Sequence, residues 1–370
     1  MNKDQRRILL QAFLFLATVF TTTFAGAEFV STKPLIDKAG FHWDSFVIGF
    51  QYSIPFLLIL TTHEFGHYFT AMYHKVKASL PFFIPFPFFL GTLGAVIVQE
   101  KPAAKKQSFD IGVAGPLAGF VVAMAILIYG FTHLPPADYI FQIHPEYKQY
   151  GLDYASHVYK GGEGVFDLSV GKNLIFLLLE NLVEDPTRIP NPHEVMHYPL
   201  LFAGFISLIF TFLNLMPIGQ LDGGHVLYGL IGHARHKKIA SVIFIIFLFY
   251  AGLGNEYINP YKPANDLLLS ISIYVAFLYL ALTGLKQPLI DTIMYAVVMF
   301  GLQFLLAKFF PHIQGYSGWL LFAFILGRFI GIEHPPCDIE KPLDTKRKLM
   351  GWLALLIFLL CFSPAPLVIA

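Results

Sequence analysis

His63, Glu64 and His67 stand within five residues of one another, in His63-Glu64-Phe65-Gly66-His67. On a helix, residues four apart lie on one face, so both imidazoles can ligate one Zn2+ while Glu64, beside them, takes a proton from water. Those are the parts needed for metal-assisted hydrolysis. A lone histidine on an apolar helix reads as a satisfied core residue. Three ionisable groups directly after the apolar run 54–60 read differently, because ionisable side chains inside a membrane are expensive and mark functional sites.

A second acid, Asp222, closes a later apolar run, in Asn214-Leu215-Met216-Pro217-Ile218-Gly219-Gln220-Leu221-Asp222-Gly223-Gly224-His225. Catalytic zinc takes three protein ligands and keeps a position for water or substrate, so His63, His67 and Asp222 would form such a set. Taken singly, Asp222 reads as helix C-terminal turn chemistry with glycine at the cap. Its depth, matched to His63 and His67 by the topology below, favours a ligand. Gly223 and Gly224 are expected to let the backbone turn sharply and bring that carboxylate in. His225 is the next candidate.

The elements that must position these groups follow from composition. Of the 370 residues 56% are hydrophobic and 13% are charged, about half the charge of an average soluble chain, which predicts an all-α polytopic membrane protein in contact with the lipid bilayer. A net charge of +1 makes no electrostatic case for nucleic acid. Cys337 and Cys361 are too few for a disulfide scaffold and have no ligand spacing.

Lys3, Arg6 and Arg7 precede the apolar run 9–24, which puts the N-terminus in the cytoplasm. Ala25-Gly26-Ala27 could serve a signal peptidase, but Thr18 and Thr21 to Thr23 dilute the apolar region and favour an uncleaved first helix. The second span, 44–74, runs back inward with the histidines in its cytoplasmic half. Residues 80–89 are apolar yet broken by Pro81, Pro85 and Pro87, so this stretch cannot be a regular helix. Non-helical backbone at that depth must be buried or line a cavity, and 91–98 reads as a re-entrant strand or hairpin; an interfacial loop is the plainer alternative. A third span, 111–131, is small-faced through Gly112, Ala114, Gly115, Ala118 and Gly119, which permits close helix packing. Residues 135–199 form an extracytoplasmic loop in which 170–182 is an interfacial helix. The fourth span, 200–217, delivers Asp222 to the cytoplasmic side. Five more apolar stretches, near 239–253, 266–285, 288–308, 316–332 and 349–366, raise the total to about nine spans and leave the C-terminus outside. The chain therefore divides into a first helix and link at 1–45, a catalytic membrane core at 46–238, and additional helices at 239–370. There is no internal repeat.

The two motifs together resemble the site-2 protease family of intramembrane zinc metalloproteases, whose pattern is His-Glu-x-x-His on one span and Asn-x-x-Pro-x-x-x-Leu-Asp-Gly on a later one. The second is present as Asn214, Pro217, Leu221, Asp222 and Gly223. The resemblance covers about residues 46–232. It implies His63, His67 and Asp222 as Zn2+ ligands, Glu64 as the base and Asn214 as a polarising or positioning donor. It also implies that Gly91, Thr92, Leu93 and Gly94, similar to the family's substrate-side strand, bind substrate. Many members carry a peptide-binding domain of the PDZ type between the third and fourth spans. The 135–199 loop is short for one and lacks alternating strands, so the chain more closely resembles the branch without that domain, known from cyanobacteria and plastids.

The function expected is regulated intramembrane proteolysis: a zinc-dependent endopeptidase in a bacterial inner membrane, cutting a transmembrane protein substrate that must locally unwind to expose its carbonyls. No feature sets an oligomeric state. Proteases of prenylated C-termini also carry His-Glu-x-x-His but recruit a glutamate as third ligand. A metal-binding membrane transporter should show repeat symmetry, and an inactive scaffold should have lost Glu64.

Overall fold

The apolar runs fold as helices, as their composition requires in the absence of water to satisfy backbone groups. In the computed structural model, which describes residues 2–31, 35–38, 40–159, 168–261 and 263–369, the main helices are α1 Lys3–Val30, α2 Trp43–Ile48, α3 Phe50–Tyr73, α4 Lys105–Thr132, α5 Leu174–Glu180, α6 Pro199–Leu215, α7 Asp222–Ile231, α8 His233–Gly252, α9 Ala264–Leu282, α10 Leu289–Phe309, α11 Trp319–Ile325 and α12 Thr345–Cys361. Two two-stranded antiparallel sheets matter here. One pairs β1 Phe82–Pro85 with β2 Thr92–Val96; the other pairs β3 Leu168–Val170 with β4 Leu367–Ile369. Among the described residues, five helices are long and apolar enough to cross a membrane: Lys3–Val30, Trp43–Tyr73, Lys105–Thr132, Asp266–Leu285 and Leu289–Phe309. The other four expected spans are helical but shorter or charged at one end: α6, α8, α11 with its π turn to Ile330, and α12.

The chain makes two compact units, Met1–Pro102 with Val113–Leu213 and Leu356–Ala370, and Ala103–Gly112 with Asn214–Leu355. In the first, α1 crosses the α2–α3 break closely. A Cβ on Gly26 would meet Tyr52 side-chain atoms at 3.0 Å, and one on Gly49 would lie 2.7 Å from the Ala27 backbone nitrogen. Thr23 and Ser53 hydroxyls hydrogen-bond across this crossing at 2.8 Å, keeping polar groups paired where water is excluded. The β1–β2 hairpin lies against α1: Gln11 Nε2 donates to the Leu80 carbonyl at 2.6 Å, Thr21 Oγ1 donates to the Gly91 carbonyl at 2.6 Å, and Phe15 meets Phe83 edge-on. The expected non-helical segment is thus an ordered hairpin.

The segment 135–199 is built of short 3-10 and α turns, with α5 forming inside the stretch 170–182 where a helix is expected; residues 160–167 of it lie outside the described residues. The β3–β4 pair joins it to the C-terminal strand, with Ser169 opposite Val368.

In the second unit, Arg347 grips Asp110 through two hydrogen bonds, Nε to Oδ1 at 2.7 Å and Nη2 to Oδ2 at 2.8 Å. The buried Lys105 ammonium pairs with Glu340 at 3.4 Å, and Tyr228 also donates to Glu340. Cys337, in this unit, and Cys361, in the first, are buried free thiols.

Candidate active site

His63, Glu64 and His67 all lie in α3, and all are buried. The helical spacing does what it predicts. The Nε2 atoms of His63 and His67 face each other at 3.0 Å, and Glu64 Oε1 stands 4.0 Å from His63 Nε2. Two imidazole nitrogens bound to one tetrahedral zinc would be about 3.3 Å apart for metal–nitrogen distances near 2.05 Å. The donor chemistry and the pair separation both suit that ion.

α4 makes room for the pair. A Cβ on Gly115 would lie 2.5 Å from both Cδ2 and Cε1 of His67, and one on Gly119 would lie 3.1 Å from the His63 Cβ. In return, a Cβ on Gly66 would sit 2.8 Å from the Ala114 carbonyl oxygen. The small residues of the third span therefore pack as expected, and two of them shape the imidazole pocket itself. Close packing alone, the expectation from sequence, does not cover this role, because the spacing does not say which face of α3 meets α4.

Asp222 belongs to the second unit, where it is half-buried at the first position of α7 with Leu221 as N-cap. A carboxylate there is stabilised by the helix N-terminal partial charge. Helix C-terminal turn chemistry, the alternative that Asp222 taken singly would suggest, does not apply, because Asp222 begins a helix. The glycines also act differently from expectation. The sharp turn uses Gly219, at φ +59, whereas Gly223 and Gly224 are helical and instead admit neighbouring carbonyls: a Cβ on Gly223 would lie 2.7 Å from the Met216 oxygen, and one on Gly224 2.7 Å from the Ile218 oxygen. Asn214 is the penultimate residue of α6 and is half-buried. His225, the alternative ligand, is taken up otherwise. Its Nδ1 hydrogen-bonds Ser108 Oγ at 2.9 Å and His334 Nε2 at 2.7 Å, and its ring fills the space left by Gly112.

In the expected substrate strand, β2 pairs with β1 in the register Phe82 to Val96 and Phe83 to Ala95, then shifts to Pro85 opposite Thr92. The extra residue is accommodated at Gly94, at φ +106, a bulge that re-aims the strand. Thr92 is buried and secures the bulge: its Oγ1 donates to the Ile84 carbonyl at 2.8 Å and accepts from the Gly94 N–H at 3.0 Å. Gly91, at φ +83, packs on α1 at Thr22. Of the four residues 91–94, Leu93 alone has an exposed side chain.

Comparison with known proteins places these features. The family model for peptidase family M50 matches residues 51–253, which includes α3, the hairpin and the Asp222 segment. The chain is 35% identical over 181 residues to probable zinc metalloprotease EGY1, chloroplastic, of Oryza sativa subsp. japonica, covering 48% of this chain and 27% of that protein. It is 30% identical over 179 residues to the protein of the same name in Arabidopsis thaliana, covering 47% and 28%. It is 28% identical over 185 residues to probable zinc metalloprotease EGY2, chloroplastic, of Arabidopsis thaliana, covering 50% and 29%. The matched part is thus under a third of each relative's own length. No solved structure matches. Because the family model spans more than half of the chain and takes in both motifs, the chain belongs to peptidase family M50.

Proposed function

We propose that this protein is a zinc-dependent intramembrane endopeptidase that cleaves transmembrane segments of other membrane proteins. The observation that carries the reading is the buried imidazole pair of α3, with its nitrogens 3.0 Å apart and a buried carboxylate beside it, in a chain of peptidase family M50. His63 and His67 would hold the zinc, with Asp222 as the third ligand. When bound, zinc supplies Lewis acidity that polarises a scissile carbonyl and makes water acidic near neutral pH. Glu64 accepts the proton at its carboxylate and later delivers it to the leaving amine. Asn214 donates from its side-chain amide to orient the substrate carbonyl. The relatives named as zinc metalloproteases support the same assignment.

The hairpin presents the substrate. An unwound transmembrane segment adds to the outer edge of β2 by backbone hydrogen bonds, with Leu93 as the side chain it meets. In this reading the hairpin is re-entrant and the chain crosses the bilayer about nine times, with the N-terminus cytoplasmic. The pairing of β3 with the C-terminal β4 supports an odd number of crossings, because it puts the C-terminus on the side of the 135–199 segment. The membrane proposed is the bacterial inner membrane, whereas the relatives compared above are named chloroplastic.

The test is Glu64→Gln in the purified protein, with a labelled model transmembrane helix carrying a mid-span Gly-Pro break as substrate. Loss of cleavage by several orders of magnitude with zinc still bound is expected. Cleavage near the parent's rate would refute the proposal.

A further inference from the structure

A second cluster of metal-ligating side chains lies in the 135–199 segment, entirely within the first unit: His144, Glu194 and His197, with His197 and Glu194 buried. His144 Nε2 is 3.2 Å from His197 Nε2, and Glu194 Oε2 is 3.7 Å from the first and 3.5 Å from the second. Three ligands on one face of a tetrahedron around zinc would be separated by about 3.3 Å. The three measured separations bracket that value closely.

The outer hydrogen bonds of the cluster set its polarity. His197 Nδ1 lies 2.7 Å from the Phe29 carbonyl oxygen, which can only accept, so Nδ1 carries the proton. His144 Nδ1 lies 3.2 Å from the Glu146 carboxylate, which requires the same of it. Rings anchored in this way turn their Nε2 atoms toward each other and toward the Glu194 oxygen. Glu194 is held on its far side by the Tyr159 hydroxyl, and His144 stacks on Tyr147. Imidazoles anchored through Nδ1 to a carbonyl or carboxylate, and a ligating carboxylate anchored by a hydroxyl, are the outer contacts that orient metal ligands. A cavity of about 390 Å3, lined by His197, His133 and Tyr139 among others, reaches the cluster.

We propose that His144, Glu194 and His197 form a second site for a divalent first-row cation, with Zn2+ the best-suited ion. Calcium and magnesium take oxygen ligands and do not suit two imidazoles. The site is separate from the family's His63–Glu64–His67 motif and stands or falls without it. Its two histidines are 53 residues apart in the chain, and His197 is bonded to the last turn of α1. The ion is therefore a clamp that ties residues 140–159 to the chain entering α6.

The full-length protein, purified in detergent, stripped with a chelator and reloaded with zinc alone, tests this by elemental analysis. The parent is expected to hold two zinc ions per chain. His144→Gln and Glu194→Gln should each hold one. His67→Gln should also hold one, and in that variant reloading with Co2+ should give the absorption of a nitrogen- and oxygen-ligated tetrahedral site. One zinc in the parent, unchanged by His144→Gln and Glu194→Gln, overturns the proposal, as does no zinc in folded His67→Gln. One zinc in the parent, lost in Glu194→Gln but kept in His67→Gln, would leave this site standing and remove the active-site assignment instead. Glu194→Gln preserves side-chain size and the Tyr159 contact, so the test does not depend on a single histidine variant folding.

Discussion

Replacing Gly115 by alanine probes the imidazole pair without touching any ionisable group. The new Cβ would stand closest to His67 Nε2 itself and 2.5 Å from Cδ2 and Cε1, where ordinary contact begins near 3.4 Å, so the ring must move by at least about 0.9 Å. Alanine is favoured over glycine within a helix by about 1 kcal/mol, while overpacking a well-packed site costs about 1–3 kcal/mol. Net stability should therefore change little, and the melting temperature should stay within a few degrees of the parent's. Function should not be spared. Metal–ligand distances tolerate about 0.2 Å, and a displacement near 1 Å of a catalytic group can cost about 100-fold in rate. Zinc content by elemental analysis, cleavage of the model transmembrane helix and thermal melting should be read together. Gly119→Ala, with its Cβ 3.1 Å from the His63 Cβ, asks for a shift of only a few tenths of an ångström and should give a milder loss. Full zinc and undiminished cleavage in Gly115→Ala would show that the pocket beside α4 does not set the position of the ligand, and would refute the reasoning.

Asp222→Ala should lower active-site zinc well below one per chain, whereas Asp222→Asn retains part of it in an altered site; unchanged active-site occupancy in the alanine variant would move the third ligand elsewhere. Proline at Leu93 or Ala95 should reduce cleavage with zinc content intact. These two positions would share one strand edge in a regular β2, but the bulge at Gly94 lies between them, so the two variants should differ; equal and full activity in both would exclude strand addition. Stability should fall as pH drops below about 6.5, because burial, with His225 next in weight, holds the His334 pKa down to about 3 while the unfolded chain takes up a proton near 6.5. The sign follows from the depressed value: the contribution is complete above 6.5 and is lost progressively toward 3, on the order of 2 kcal/mol by pH 5. Melting curves of the parent and His334→Gln from pH 8 to 5 check this, and identical slopes would remove His334 as the cause.

What could be read from residues alone was local or compositional. Two histidines one turn apart with a glutamate between them need only a helix to converge, and the apolar run that precedes them ensures one. Three prolines in 81–87 exclude a helix and leave a strand, a hairpin or a loop, and the fold takes the hairpin. The glycine pair after Asp222 was read as the turn, but the left-handed residue is Gly219, three positions before Asp222, and the space that Gly223 and Gly224 leave for neighbouring carbonyls shows only in the packing. Non-local pairings had no trace in spacing. That Gly115 accommodates the His67 ring depends on which face of α4 meets α3. That residues 168–170 pair with 367–369, about 200 positions away, depends on where the chain returns. The cluster of His144, Glu194 and His197 is the clearest case: its members fit no motif, and only tertiary packing brings two imidazoles and a carboxylate to a common point. Ligand chemistry requires convergence in space, and a sequence records it only when the convergence happens within a turn or two of one helix.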